Sequence, residues 1–410
     1  MLILSVILYI NYTTRKSLFN VSSLFTCIWS FSGAISSLGL YELYKPSNIT
    51  HFYIISVIIA FNIVYFLLSK NKKSENLTSG TLMGYPKITT MVTINLISWI
   101  YVQDTLIKSV TIIFDQGFNV LRAYAFNSEM GLASSLKLFI IQNIVQAIFI
   151  STIIISVVYK SLNKPIIILT IISILDVIIY TLLFGGRSLI LLLALSYIFS
   201  YLLQKKKKIN FKFNHFMYAC SLILIMYWIT NLRSWNDDSF VKNIVLYFSG
   251  SFSYFSILID NINLFSNDYL LGTATFGFIY NPFHMLFSFL YKIPYIGSDV
   301  IITQITAVPI YISPTQTYNA VTSFLFPFYM DFGYIGILLG TFVFTVLSVQ
   351  LENKSIFSNK VVFKVMYVYI LICIFDSIMT YQLLFIKTGF IFCFIILFIN
   401  KNRRTMIYNE

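Results

Sequence analysis

The chain has 410 residues, of which 58% are hydrophobic, 18% aromatic and only 10% charged, a balance in which no water-soluble fold hides its apolar side chains. Its net charge of +13 comes from short basic runs such as QKKKK and KNRR between apolar stretches, which suit anionic lipid headgroups and argue against nucleic acid as a partner. Cys27, Cys220, Cys373 and Cys393 lie in apolar runs without CxxC spacing, and His51, His215 and His284 are scattered, so nothing points to a disulfide framework, a zinc site or a His-based redox centre.

A bilayer core of about 30 Å is crossed by about 20 apolar residues in helical conformation. The first candidate, MLILSVILYINY, is short; it lacks a basic leader and a small-residue cleavage site, which favours a truncated or tilted span over a cleaved signal peptide. Longer apolar runs follow at 18–40, 51–69 and 88–103. Residues 104–137, with DQGFNVLRAYAFNSEMGLASSLK, are polar and Gly-punctuated enough to form an outer segment at the interface. Further runs occupy 138–159, 165–184, 188–203 and 214–232.

Residues 233–331 then form a second outer segment, far longer than an ordinary connection and therefore expected to be functional. Within it Val241, Ile244, Val245, Phe248, Phe252, Phe255 and Ile259 recur at helical spacing and predict a helix lying on or dipping into the membrane. The remainder, broken at Pro282, Pro294, Pro309 and Pro314, reads as turns and extended pieces, not as strands of a sheet. Apolar runs at 333–349, 361–380 and 383–399 complete the chain. The expectation is an all-α, polytopic transmembrane helical bundle of about eleven spans, forming one membrane domain over residues 1–410. Basic residues are retained on the cytoplasmic side of membranes. An outside N-terminus puts 19 of the 28 basic residues and 3 of the 15 acidic ones inside, with the C-terminus cytoplasmic.

Two outer-face motifs carry candidate chemistry. In LLFGGRSLILLLALSYIF, Gly185, Gly186, Arg187 and Ser188 form a tight turn opening directly into the next span. Backbone N–H groups at a helix start beside a guanidinium suit a phosphate or pyrophosphate; the alternative is an arginine anchoring a hairpin at the headgroups. In YNAVTSFLFPFYMDFGYIGILLGTF, Tyr318, Asn319, Thr322 and Ser323 precede Asp331 and the series Gly333, Gly336 and Gly340. Asp331 sits where the chain re-enters the bilayer, positioned to hold an arginine or accept a proton; the alternative is a helix cap followed by glycines that permit close packing. Asp176 and Asp376 fall inside apolar runs and require a partner or a polar cavity.

The GGRS hairpin, the long outer loop, and N-x-x-T followed by Pro-x-x-x-Asp-x-Gly-x-x-Gly together resemble the Wzy-type O-antigen or capsular repeat-unit polymerases. The resemblance in residues covers about 181–203 and 318–341. It implies an enzyme of the bacterial cytoplasmic membrane that transfers a growing glycan from undecaprenyl pyrophosphate onto the next lipid-linked repeat unit at the outer face, without nucleotide sugar, metal or cofactor. It implies as partners the lipid-linked oligosaccharide, membrane lipid, a chain-length regulator and a flippase.

Departure of a pyrophosphate develops negative charge that arginines stabilise. Arg187 leads, with Arg122 and Arg233 as further substrate-binding candidates, one in each long outer segment. The acceptor hydroxyl needs a proton acceptor, for which Asp331, His284 and Asp237 stand in that order. The related O-antigen ligases carry His-Asn where this chain has Tyr318-Asn319, which disfavours a ligase. The rival from another class is a lipid-linked oligosaccharide flippase or other transporter; no half-to-half repeat supports it. A polyprenyl-phosphate-sugar glycosyltransferase is disfavoured because the first outer loop, YELYKPSNIT, offers only Glu42.

Overall fold

The computed structural model describes Ile7, residues 20–69, 83–118, 120–121, Tyr124, 132–203, Tyr227, 240–261, 269–319 and 321–400. The chain packs as two units: residues 1–80, 241–358 and 373–389 in the first, and 81–240, 359–372 and 390–410 in the second. Helices dominate. Among the described residues six are long and apolar enough to cross a membrane: α1 (Val21–Leu38), α2 (Asn48–Leu68), α3 (Ile88–Gln116), α4 (Ser135–Ser161), α5 (Ile167–Phe184) and α10 (Leu325–Phe357). The other helices are α6 (Ser188–Leu202), α7 (residues 240–260), α8 (Gly277–Tyr291), α9 (Ser298–Ala307), α11 (Val361–Asp376) and α12 (Ile386–Phe398).

In the first unit, α1 starts where the Asn20 side chain accepts the Ser23 N–H at 2.8 Å and stops at Gly39 in the left-handed region. Its polar side chains face α2. The Asn62 amide donates to Thr26 Oγ1 at 2.9 Å and accepts from Ser22, the kind of hydrogen bond that joins helices where the surroundings are apolar. Below this contact lies an aromatic core: Phe25 stacks on Phe61 at 3.9 Å, and Trp29, Phe252, Phe324, Phe328, Phe344 and Tyr381 fill the space around them. The Trp29 indole N–H donates to Ser377 Oγ at 2.9 Å.

Ser377 belongs to the turn 377–385 between α11 and α12, whose Ile378, Tyr381, Leu383 and Leu384 are also buried. This turn is core, although in the sequence it falls across the ends of the apolar runs 361–380 and 383–399. Its backbone is tied down by the N–H groups of Ser323 and Phe324, which donate to the carbonyls of Met379 and Ser377 at 3.0 and 2.9 Å.

Residues 233–331 differ most from expectation. Helix α7 is present, widened by one π turn at Leu246–Gly250. Its apolar side chains pack into protein: Phe252, Phe255 and Leu258 are fully buried, whereas Val241 and Ile244 near its start are exposed. Its buried serines supply the polar contacts, Ser251 donating to the carbonyl of Ile378 at 2.6 Å and Ser253 to that of Tyr44 at 2.7 Å. The stretch expected as turns forms α8 and α9 instead. Pro282 sits inside α8, where it only removes one donor, and the carbonyl of Phe278 lies against Gly389. A short antiparallel ladder, β1 (Ile310–Tyr311) with β2 (Thr317–Tyr318), closes the segment.

In the second unit α4 is buried nearly all round from Gln146 to Tyr159, with α3, α5 and α6 as its neighbours. Asn95 donates to Thr152 at 3.0 Å, and Trp99 donates from its indole to Asp176 Oδ1 at 2.8 Å. Helix α3 runs to Gln116, past Asp104, because charge marks the edge of hydrocarbon but does not end a helix; Gly117, at φ +88°, does. Its 29 residues span roughly 44 Å, so residues 104–116 of the expected interfacial segment extend the helix. Asp104 pairs with Lys137 at 3.6 Å.

Candidate functional site

In the second unit, Gly185 ends α5 at φ +58°, and its N–H bonds to the Thr181 carbonyl at 2.8 Å. A side chain here would be strained in this left-handed conformation and would meet the Phe118 ring. After Gly186, Arg187 takes the N-cap position of α6 without a side-chain cap, and its carbonyl accepts the Leu191 N–H at 3.0 Å. The N–H groups of Ser188, Leu189 and Ile190 therefore lack acceptors within the helix. Arg187 is half-buried and Ser188 exposed. The turn thus sets Arg187 at the positive N-terminal end of α6, a helix end suited to an anion.

In the first unit, Asp331 precedes a break in α10, where Phe332 has φ −153° and Gly333 has φ +62° and ψ −140°. The break turns the fully buried carboxylate toward LGTAT, residues 271–275. Oδ1 accepts the N–H groups of Gly272 and Ala274 at 3.0 and 3.1 Å; Oδ2 accepts the Thr275 N–H at 2.8 Å and its hydroxyl at 2.5 Å. Both oxygens are engaged, so the group acts as a clasp between loop and helix and is poorly placed to accept a proton from a substrate.

His284 lies in the same unit, one turn after Asn281, which a chain of hydrogen bonds ties to that loop. Ser298 Oγ bridges the Thr273 carbonyl at 2.9 Å and Asn281 Oδ1 at 3.1 Å, and the Asn281 amide donates to the Leu384 carbonyl at 2.7 Å. One turn on from Asn281, the His284 ring stacks on Tyr280 at 5.5 Å and lies 5.5 Å from the Tyr295 ring. Its Nδ1 is buried without a hydrogen-bond partner among the described residues, as is Ser288 Oγ. The Tyr295 hydroxyl donates to Asp299 Oδ1 at 2.6 Å. Burial raises the Asp299 pKa, opposed by the Tyr295 and Val300 donors and by His284, and burial together with Asp299 raises that of Tyr295. Asp299 and Tyr295 are site residues the sequence reading missed; no spacing marks them, since they meet His284 only through the turn between α8 and α9.

Tyr318 packs against Gly250 and edge-on to Tyr254 at 5.8 Å. Asn319 is exposed and reaches the Ala307 carbonyl at 3.5 Å, and Thr322 is buried. These three lie with Asp331 and His284 in the first unit, whereas Gly185, Gly186, Arg187 and Ser188 lie in the second. Asp237, Arg122 and Arg233 lie outside the described residues. Among the described residues no three His, Cys, Asp or Glu side chains gather as a metal site would require.

No family model, curated protein or solved structure matches the chain. The helices and these local clusters are therefore the grounds for a functional reading.

Proposed function

We propose that this protein is a polytopic enzyme of the bacterial cytoplasmic membrane, similar to Wzy-type polymerases. It transfers a growing glycan from undecaprenyl pyrophosphate onto the next lipid-linked repeat unit for O-antigen, lipopolysaccharide or capsule assembly. The observation that carries this reading is the Gly185–Gly186–Arg187 turn, which sets Arg187 at the N-cap position of α6. In the reaction the bond between the donor sugar's anomeric carbon and the pyrophosphate breaks, and the acceptor hydroxyl oxygen bonds to that carbon. Arg187 with the N–H groups of Ser188 and Leu189 stabilises charge on the departing pyrophosphate. The acceptor proton goes to a base, a role for which Asp331, already engaged by four donors, is poorly placed. About eleven spans, an outside N-terminus and a cytoplasmic C-terminus complete the proposal, with a chain-length regulator and a flippase as partners.

The rival, a flippase or other transporter, draws support from Asp176, buried within a span with Oδ2 unpartnered among the described residues. A deletion strain separates the two: surface glycan of a single repeat supports the polymerase, and lipid-linked units retained inside support the flippase. Arg187→Ala is expected to reach the membrane at normal levels and yield single-repeat glycan. Long-chain glycan from that variant would overturn the site assignment.

A further inference from the structure

Helix α8 reverses the arrangement expected of a helix in water. Its inward side carries Gly277, Asn281, His284 and Ser288, each three or four residues apart, and the first, second and last of these are buried. Its outward stripe is Phe276, Ile279, Phe283, Leu286, Phe287 and Leu290, with Phe283 at 69%, Phe287 at 54% and Leu290 at 65% exposure. A helix at an aqueous surface turns its apolar stripe to the core and its polar side to solvent; polar inside and apolar outside is the arrangement for hydrocarbon solvent. Charge agrees with this, because no Asp, Glu, Lys or Arg occurs from Tyr269 to Tyr291. The surface is also continuous with that of a spanning helix. Just before α8, Gly272 lies against the Phe332 ring of α10, whose outer side continues through the exposed Ile335, Leu339 and Phe342.

We propose that α8 is immersed in the bilayer as a helix that enters and leaves on one side, its outward stripe docked against lipid acyl chains. Fifteen residues make about 22 Å, short of the roughly 30 Å needed to cross. Lys292 caps its C-terminus in the left-handed region and Pro294 follows, so the chain turns back where an ammonium reaches headgroups. This rests on the membrane character of the chain and is independent of the polymerase reading. It also sets His284, on the inward side of α8, at membrane depth.

The test uses full-length protein, cysteine-free apart from Phe283→Cys, Phe287→Cys or the exposed control Asn319→Cys. Each is spin-labelled and reconstituted in vesicles of phosphatidylethanolamine and phosphatidylglycerol. At 283 and 287, collisions with oxygen, which dissolves in lipid, are expected to exceed those with a water-soluble nickel chelate several-fold, with the reverse at 319. Chelate collisions dominating at 283 and 287 would overturn the proposal. So would protection from both reagents together with spin–spin broadening, which places a second copy of the chain on the face. Should removal of the cysteines disturb folding, benzoylphenylalanine at position 283 of the otherwise native chain supplies the second measurement. Irradiation in the membrane is expected to attach phospholipid, and protein adducts alone, or no adduct, would refute lipid contact.

Discussion

Replacing Asp331 separates clasp from chemistry. Alanine removes the acceptor of four hydrogen bonds, those of the Gly272, Ala274 and Thr275 N–H groups and the Thr275 hydroxyl. Each donor left buried without a partner costs about 1–3 kcal/mol, so taking the low end for each gives a loss of roughly 4 kcal/mol. Asparagine keeps one oxygen for Gly272 and Ala274 but turns an amide NH2 toward Thr275, and the expected loss is about half, roughly 2 kcal/mol. Titration of the purified full-length protein with SDS in mixed micelles, followed by circular dichroism, measures both. The expected order of stability is wild type, then Asp331→Asn, then Asp331→Ala. An Asp331→Asn protein as stable as wild type yet unable to elongate glycan would refute the clasp and return the carboxylate to the reaction.

The same titration tests three further sites. Gly277→Ala places a methyl group on the backbone carbonyl of Leu384, and is expected to lose about 1–3 kcal/mol by overpacking. Trp99→Phe removes the donor to Asp176 Oδ1 while Oδ2 already has no partner among the described residues. It should lose about 1–3 kcal/mol, and adding Asp176→Leu should restore part of this, since removing both polar partners costs less than removing one; a double variant less stable than the single would contradict that account. The Asp299 pKa is raised, chiefly by burial, so the folded protein holds this proton more tightly than the unfolded chain. Its contribution to stability is full below the unfolded value of about 3.9 and is lost as pH rises through the folded value. Asp299→Asn is expected to flatten stability over that range, and an unchanged pH profile would show that Asp299 does not set it.

The apolar helices were legible because lipid imposes one simple rule, a long apolar run, and α1, α2, α5 and the shorter α6 begin and end within about three residues of the runs in the sequence. What the rule misses is backbone that charge or proline only appears to interrupt. Asp104 and Lys108 lie inside α3, and Pro282 lies inside α8. Packing against a third element was equally hidden: α7 looks interfacial from its periodicity, yet the apolar surface it meets is protein, through Phe248 on Phe375 and Ser251 on the Ile378 carbonyl. At the candidate sites the residues were readable and their partners were not. Asp331 stood out beside its glycines, but nothing local signals that LGTAT, 56 to 59 residues earlier, supplies its donors.

The buried turn 377–385 bears on the order of assembly. Trp29 waits 348 residues for the hydroxyl that accepts its indole N–H, the Thr275 carbonyl 106 for Tyr381, and the Asn281 amide 103 for the Leu384 carbonyl. During synthesis the N-terminal helices therefore insert and persist in the bilayer with a polar ring nitrogen still seeking its acceptor. The last tenth of the chain acts as the closing wedge. Nonsense mutations late in the coding sequence should consequently release protein that has inserted but not consolidated, a substrate for membrane quality-control proteases.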